Sequence, residues 1–135
     1  MQTDRKIKIL VVDDSDNIRR MVRTVLRQLG FAEIGEASDG LQALSKLKTG
    51  AYDLLISDWN MPNLDGISLL RMIRGDADLK DLKVLMVTAE AEKGHVIEAI
   101  KAGINDYVVK PFSADILEKK IEKIFGAGPP PEKPS

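Results

Sequence analysis

The chain reads as an α/β domain with an open parallel sheet, on two observations. Short apolar runs alternate with helical stripes five times between Ile7 and Phe125, and polar residues close four of those runs. Strands joined by crossovers of a dozen or more residues are expected to lie parallel, with right-handed connections and helices on both faces. Sheets of this kind bind ligands outside the carboxyl ends of their strands. The five units share no sequence repeat, so a solenoid is not expected.

The first strand, Ile7-Lys8-Ile9-Leu10-Val11-Val12, stops at Asp13-Asp14. Ile18, Met21, Val22, Val25, Leu26 and Leu29 then recur at helical steps, and Gly30 is placed to end that helix in a left-handed cap. Glu33 to Ala37 is a weaker second strand, ambiguous on periodicity alone. Leu41, Leu44 and Leu47 give a short helix closed by Thr49-Gly50. The third strand, Leu54-Leu55-Ile56-Ser57, stops at Asp58, and Trp59 to Gly66 is a loop rich in turn formers. Ile67, Leu70 and Ile73, with Leu69, make the next helix. The fourth strand, Val84-Leu85-Met86-Val87, stops at Thr88; Val96, Ala99 and Ile100 mark a helix ending near Gly103. The fifth strand, Tyr107-Val108-Val109, stops at Lys110-Pro111. Ser113 is placed to cap a last helix that buries Ile116, Leu117, Ile121, Ile124 and Phe125.

At 135 residues the chain suits one domain with a real core. Its 44% hydrophobic and 30% charged residues are ordinary for a soluble protein. A net charge of −1 leaves no basic footprint, so no nucleic-acid partner is expected. Without cysteine there is no disulfide or thiol chemistry. The segment Met1 to Lys6 lacks the apolar core of a signal peptide, and no apolar run approaches the roughly 20 residues that span a bilayer. We therefore expect a cytoplasmic protein that engages no membrane. Residues 6–125 are expected to form the domain. Gly126 to Ser135, with four prolines and two glycines, reads as a disordered tail, so no second domain is expected to carry an output.

The strand ends carry the chemistry. Three carboxylates brought together would raise each other's pKa values, and a hard divalent cation is the natural compensation. Mg²⁺ prefers one or two carboxylates, several waters and a phosphate, whereas the Cys and clustered His of a Zn²⁺ site are missing. A carboxylate beside such a cation can attack an electrophilic phosphorus. Lys110 can neutralise the transferred group's oxygens, and the Thr88 hydroxyl can donate to one of them. Pro111 fixes the chain just after Lys110, at a bond where a cis peptide is available. Taken singly, each residue has a plainer role: an Asp after a strand caps the next helix, Thr88 closes a strand, and Lys110 is solvated. Their joint occurrence on strands one, three, four and five favours a site.

These residues carry a resemblance to a known family. Asp13-Asp14, Ser57-Asp58-Trp59-Asn60-Met61-Pro62, Asp65-Gly66, Thr88-Ala89-Glu90-Ala91 and Tyr107-Val108-Val109-Lys110-Pro111-Phe112 resemble response-regulator receiver domains over residues 6 to 125. Trp59-Asn60 and Thr88 to Ala91 favour the chemotaxis branch. The resemblance implies a single doubly wound, flavodoxin-like (βα)5 domain with strand order 2-1-3-4-5. It implies phosphorylation of Asp58 by a histidine kinase, with one Mg²⁺ held by Asp14, Asp58, the Asn60 carbonyl and, through water, Asp13. Lys110 would pair with the phosphoryl group, Thr88 and the adjoining Ala89 would move toward it, and Tyr107 would turn inward. Asn60 and Glu90 would tune hydrolysis of the acyl phosphate. The output would be binding by a monomer, through Ala91, Lys93, Val96, Ile100, Tyr107 and Lys120. A flagellar motor switch protein and a phosphatase are the implied partners beside the kinase. The protein itself is expected to be a phosphoacceptor and not an enzyme acting on other substrates.

Other readings stay open at this point. Asp14-Ser15-Asp16 has the Asp-x-Asp spacing of haloacid-dehalogenase-type phosphatases, although Asp58 and Thr88 then lack a role. A flavin-binding module shares the fold but wants a hydroxyl-rich phosphate loop. A phosphorelay intermediate, a phosphate sink or a receiver cut from a larger regulator also fits. Without the resemblance, Tyr107 is an ordinary half-buried strand aromatic. His95, the only histidine, is expected on the exposed start of a helix. Ser15-Asp16-Asn17, Glu92, Gly94, His95 and Asp106 depart from the best-known chemotaxis pattern, which bears on docking more than on phosphorylation.

Overall fold

Valine, isoleucine and leucine dominate the inner strands, the pattern of a parallel sheet covered on both faces. In the computed structural model, residues 4–88 and 93–126 are described, with the side chains of 93–96 left out. The elements alternate as β1 (Lys8–Val12), α1 (Asp16–Gln28), β2 (Glu33–Ala37), α2 (Gly40–Thr49), β3 (Leu54–Asp58), α3 (Gly66–Gly75), β4 (Lys83–Thr88), α4 (Lys93–Ala102), β5 (Asp106–Val109) and α5 (Ala114–Phe125). All four strand pairings are parallel, and the order is β2-β1-β3-β4-β5. The expected fold class and strand order are both observed.

Alternate strand residues feed two cores, as the period-two geometry of a strand requires. Ile9, Val11, Leu54, Ile56, Leu85 and Val87 pack with Val22 and Leu26 of α1 and Leu117 and Ile121 of α5. Leu10, Val12, Leu55, Val84 and Met86 pack with Ala43 and Leu47 of α2, Leu69, Leu70 and Ile73 of α3, and Ala99 of α4. Truncating any one of these large side chains to alanine costs about 2–5 kcal/mol. The register sets Val12 beside Ser57 and Ala37, Asp58 beside Val87, and Thr88 beside Val109. The carboxyl ends of the four inner and edge strands β1, β3, β4 and β5 thus finish at one rim.

Local signals act mostly as expected. Ser15, Asp39, Asp65 and Ser113 cap α1, α2, α3 and α5, each accepting a backbone N–H three residues on. Gly30 takes φ +100 after α1, a left-handed conformation that glycine adopts without strain. The Lys110–Pro111 bond is cis.

Four stripe residues correct the sequence reading. Leu41 (54% exposed), Ile116 (46%), Met21 (40%) and Ile100 (59%) face solvent. Each lies one residue from a position that does face the sheet, and one residue is about 100° of helix rotation. In α2 the inward positions are Gly40, Ala43 and Leu47, because the Gly40 Cα presses on the Leu64 backbone. In α5 they are Leu117 and Ile121. The tail beyond Gly126 lies outside the described residues.

Candidate functional site

Each site residue is delivered by a strand end. β1 ends at Val12, and three residues on Ser15, still extended, caps α1 through the Ile18 N–H at 3.2 Å. Ser15 therefore takes the capping role that an Asp would otherwise fill. Asp13 is buried, while Asp14 is exposed at the rim. Asp58 is the last residue of β3, and its Oδ1 accepts the Trp59 N–H at 2.9 Å. The start of α3 closes beneath it: a Cβ on Gly66 would meet the Asp58 carbonyl oxygen at 2.5 Å, so only glycine fits there. Thr88 ends β4 buried, and its carbonyl accepts the Lys110 N–H at 2.7 Å, which brings Lys110 to the rim.

Asp13, Asp14 and Asp58 each offer one carboxylate oxygen, and these oxygens lie within 4.8 Å of one another. This is the one such acidic group among the described residues. Lys110 Nζ sits 3.3 Å from Asp13 Oδ2 and 3.3 Å from Asp58 Oδ1. One ammonium thus pairs with two of the three carboxylates. Burial holds the Asp58 pKa above its ordinary value, and the neighbouring Asp13 charge adds to this; Lys110 and the Trp59 N–H only partly offset them. The pocket is short of positive charge.

The donor set fits a hard cation. Opposite oxygens around octahedral Mg²⁺ are about 4 Å apart, close to the observed spread of the three carboxylates. Asp13 Oδ1 is already used by the Ser15 N–H at 2.8 Å and Oδ2 by Lys110, so Asp14 and Asp58 are the freer donors. Asn60 lies two residues past Asp58 with its side chain exposed.

The rest of the expected set divides. Asp16 does not join the pocket: it sits in α1, 81% exposed, and pairs with Arg19. The Asp14-Ser15-Asp16 spacing is therefore broken by the helix start, and the dehalogenase-type reading loses its second acid. Ala89, Glu90, Ala91 and Glu92 lie outside the described residues, as do the side chains of Lys93, Gly94, His95 and Val96. Tyr107 is half-buried, and the Lys120 ammonium lies 5.3 Å from its ring centroid. Asp106 holds Lys120 at 3.1 Å and Lys123 at 3.6 Å. The apolar count missed two cationic residues. Arg19 Nη1 donates to the Asp13 carbonyl at 2.6 Å. Arg74 binds the Gly103 carbonyl through Nε at 2.9 Å and the Leu82 carbonyl through Nη1 at 2.5 Å. A signal for Arg19 exists: it stands on the same face as Val22 and Leu26.

Comparison with known proteins agrees with this geometry. Residues 9–122 match the model of the response regulator receiver domain. The chain is 56% identical over 119 residues to the chemotaxis protein CheY of Pseudomonas aeruginosa, covering 88% of this chain and 96% of that one. It is 52% identical over 122 residues to CheY-3 of Vibrio cholerae, covering 90% and 94%. Among solved structures, Vibrio cholerae CheY4 aligns with TM-score 0.83 at 34% identity, covering 88% of this chain and 98% of that one. A receiver domain of a Pseudomonas aeruginosa sensor histidine kinase, solved with a magnesium ion in its active-site cleft, aligns with TM-score 0.82 at 30% identity, covering 90% and 99%. Fold, pocket and sequence agree: the chain belongs to the response regulator receiver family.

Proposed function

We propose that this receiver is a chemotaxis-type switch in which Asp58 accepts a phosphoryl group from a kinase phosphohistidine. The observation that carries the reading is the rim where Asp13, Asp14 and Asp58 converge and Lys110 bridges two of them. Asp58 Oδ1 is held by the Trp59 N–H and Lys110, which leaves Oδ2 as the attacking oxygen. The O–P bond forms as the N–P bond to the donor imidazole breaks, and the imidazole keeps the electron pair. Lys110 then turns from the carboxylates to the phosphoryl oxygens, and the Thr88 hydroxyl donates to them. Hydrolysis of the acyl phosphate resets the protein, with Asn60 and Glu90 setting its rate.

Asp14, Asp58, the Asn60 carbonyl and, through water, Asp13 would hold Mg²⁺, which would neutralise negative charge on the pocket and the phosphoryl oxygens. The magnesium-bearing kinase receiver supports this ligand. The added charge of about −1.5 to −2 biases Thr88, Ala89 and Tyr107 toward a second arrangement. The output is binding, through Ala91, Lys93, Val96, Ile100, Tyr107 and Lys120. The relatives named for chemotaxis support a chemotaxis kinase and the flagellar motor switch as partners. We place the protein in the cytoplasm as a monomer, with residues 6–125 as its domain and the following residues as a tail. No helix among the described residues is long and apolar enough to cross a membrane.

The test is acetyl phosphate with Mg²⁺ followed by intact mass. Wild type should gain one phosphoryl group, and Asp58→Asn none. An adduct that survives Asp58→Asn would falsify the assignment.

A further inference from the structure

α1 buries Val22 and Leu26 and packs Ile18, Val25 and Leu29 beside them, and the charged Arg19 lies partly buried along the same face. The Arg19 side chain is 14% exposed, and all three of its nitrogens are used. Nη1 donates to the Asp13 carbonyl at 2.6 Å, Nε to Glu36 Oε1 at 3.3 Å, and Nη2 to Asp16. Glu36 is held from its other oxygen by Arg23. Asp16 and Glu36 offset the guanidinium charge, so it repels a cation in the pocket only weakly.

The consequence lies in the backbone. The Asp13 N–H donates to the Ala37 carbonyl at 3.2 Å, so β2 fixes one side of Asp13. Arg19 fixes the other. The Asp13 carbonyl shares one rigid peptide plane with the Asp14 N–H, so holding that oxygen fixes where the Asp14 Cα and carboxylate start. Asp14 is exposed, and among the described residues no hydrogen bond steadies its carboxylate. Its direction therefore depends on that plane.

We propose that Arg19 is a positioning residue for the cation: by clamping the Asp13 carbonyl it aims Asp14 into the pocket. This rests on the reading above that the pocket takes Mg²⁺. An outer partner of this kind works by preorganising ligands, and losing one costs metal affinity; a residue that acts on binding alone leaves the rate on the loaded site unchanged.

The experiment is a Mg²⁺ titration of wild type, Arg19→Met, Arg19→Lys and Arg23→Met by calorimetry, with thermal melts. Acetyl phosphate labelling is run alongside at saturating Mg²⁺. Arg19→Met should raise the Mg²⁺ Kd about tenfold. Its labelling rate at saturating metal should stay within about twofold of wild type, the signature of lost binding and not lost chemistry. Arg19→Lys, which keeps one donor within reach of the carbonyl, should fall between. Arg23→Met removes the other cation on Glu36 without touching Asp13 and should bind Mg²⁺ like wild type. Wild-type affinity in Arg19→Met overturns the proposal, and so does equal weakening in Arg23→Met. If Arg19→Met fails to fold, Arg19→Lys decides: an affinity no weaker than that of Arg23→Met overturns it. A wild type that neither binds Mg²⁺ nor is labelled points instead to failure of the underlying reading.

Discussion

The two ends of one sheet are both acidic, and only one of them is built to react. At the amino end, Asp53, Asp76, Asp78 and Asp81 line a cavity of about 680 Å³ with Tyr52 and Lys83. Asp53 Oδ2 accepts the Lys8 N–H at 2.8 Å, and Asp76 Oδ1 accepts the Asp78 N–H at 2.8 Å. Asp76 also faces Lys48 at 3.9 Å. These carboxylates are occupied by the backbone or open to solvent. At the carboxyl end, Ser15 and Asp65 take the capping work, and three acids are left to converge, two of them on one lysine. Size does not mark the site. What marks it is carboxylates drawn together in a partly buried rim with too little positive charge: burial first, and the Asp13 charge after it, make Asp58 hold its proton more tightly than usual.

The comparison breaks most visibly at Lys110. If the carboxyl rim is the reactive end, Lys110→Met should slow labelling by acetyl phosphate about 100-fold, the typical loss of one preorganised donor at developing charge. The time course of the mass shift at saturating Mg²⁺ measures it. A rate equal to wild type would show that the 3.3 Å bridge is only structural.

Metal binding is the next largest effect. Asp14→Asn removes the most exposed donor and should weaken Mg²⁺ at least about tenfold. Trp59 reports on this, since it is buried and its backbone N–H donates to Asp58 Oδ1. Its fluorescence should respond to Mg²⁺ in wild type and shift to higher concentration in Asp14→Asn. A flat wild-type titration into the millimolar range would argue against metal at this rim.

Stability gives a smaller effect with a definite sign. Asp58 titrates above its ordinary 3.8 in the fold, so between those two values the native state binds more protons than the unfolded chain. Stability therefore falls as pH rises through that window, and the loss persists at neutral pH. Asp58→Asn removes it. In chelator, the variant should melt above wild type at neutral pH, and the gap should close once pH drops below the ordinary carboxylate value. A gap that is independent of pH would place the cause elsewhere than ionisation.

Much of this contrast is legible before any coordinates. Strands of valine, isoleucine and leucine ending in Asp13, Asp58, Thr88 and Lys110 need only parallel pairing to bring those residues to one rim. Apolar counting errs where helix rotation must be known to within one residue: Leu41 and Ile116 are leucine and isoleucine on solvent faces, whereas Gly40 takes a core-facing place. Arg19 was hidden for the opposite reason. It is a charged residue on an inward face, and its partners are distant in sequence: the Asp13 carbonyl just past β1 and Glu36 in β2. The cap roles of Ser15 and Asp65 matter as much as the acids. Without them the plainer reading of Asp13 and Asp14 as caps would stand.

The smallest effect tests the quiet end. Asp53→Ala removes the acceptor for the Lys8 N–H at the start of β1, while the Asp53 N–H still donates to the Lys8 carbonyl at 2.8 Å. The cost should be about 1 kcal/mol, the usual worth of one such bond near solvent. Urea unfolding should show a lower midpoint with an unchanged slope. Labelling at Asp58 and the Mg²⁺ titration should match wild type, because β1 carries the change at the far end of a strand whose middle is locked in both cores. If Asp53→Ala instead slowed labelling, the two ends of the sheet would be coupled, and the separation of a structural rim from a reactive one would fail.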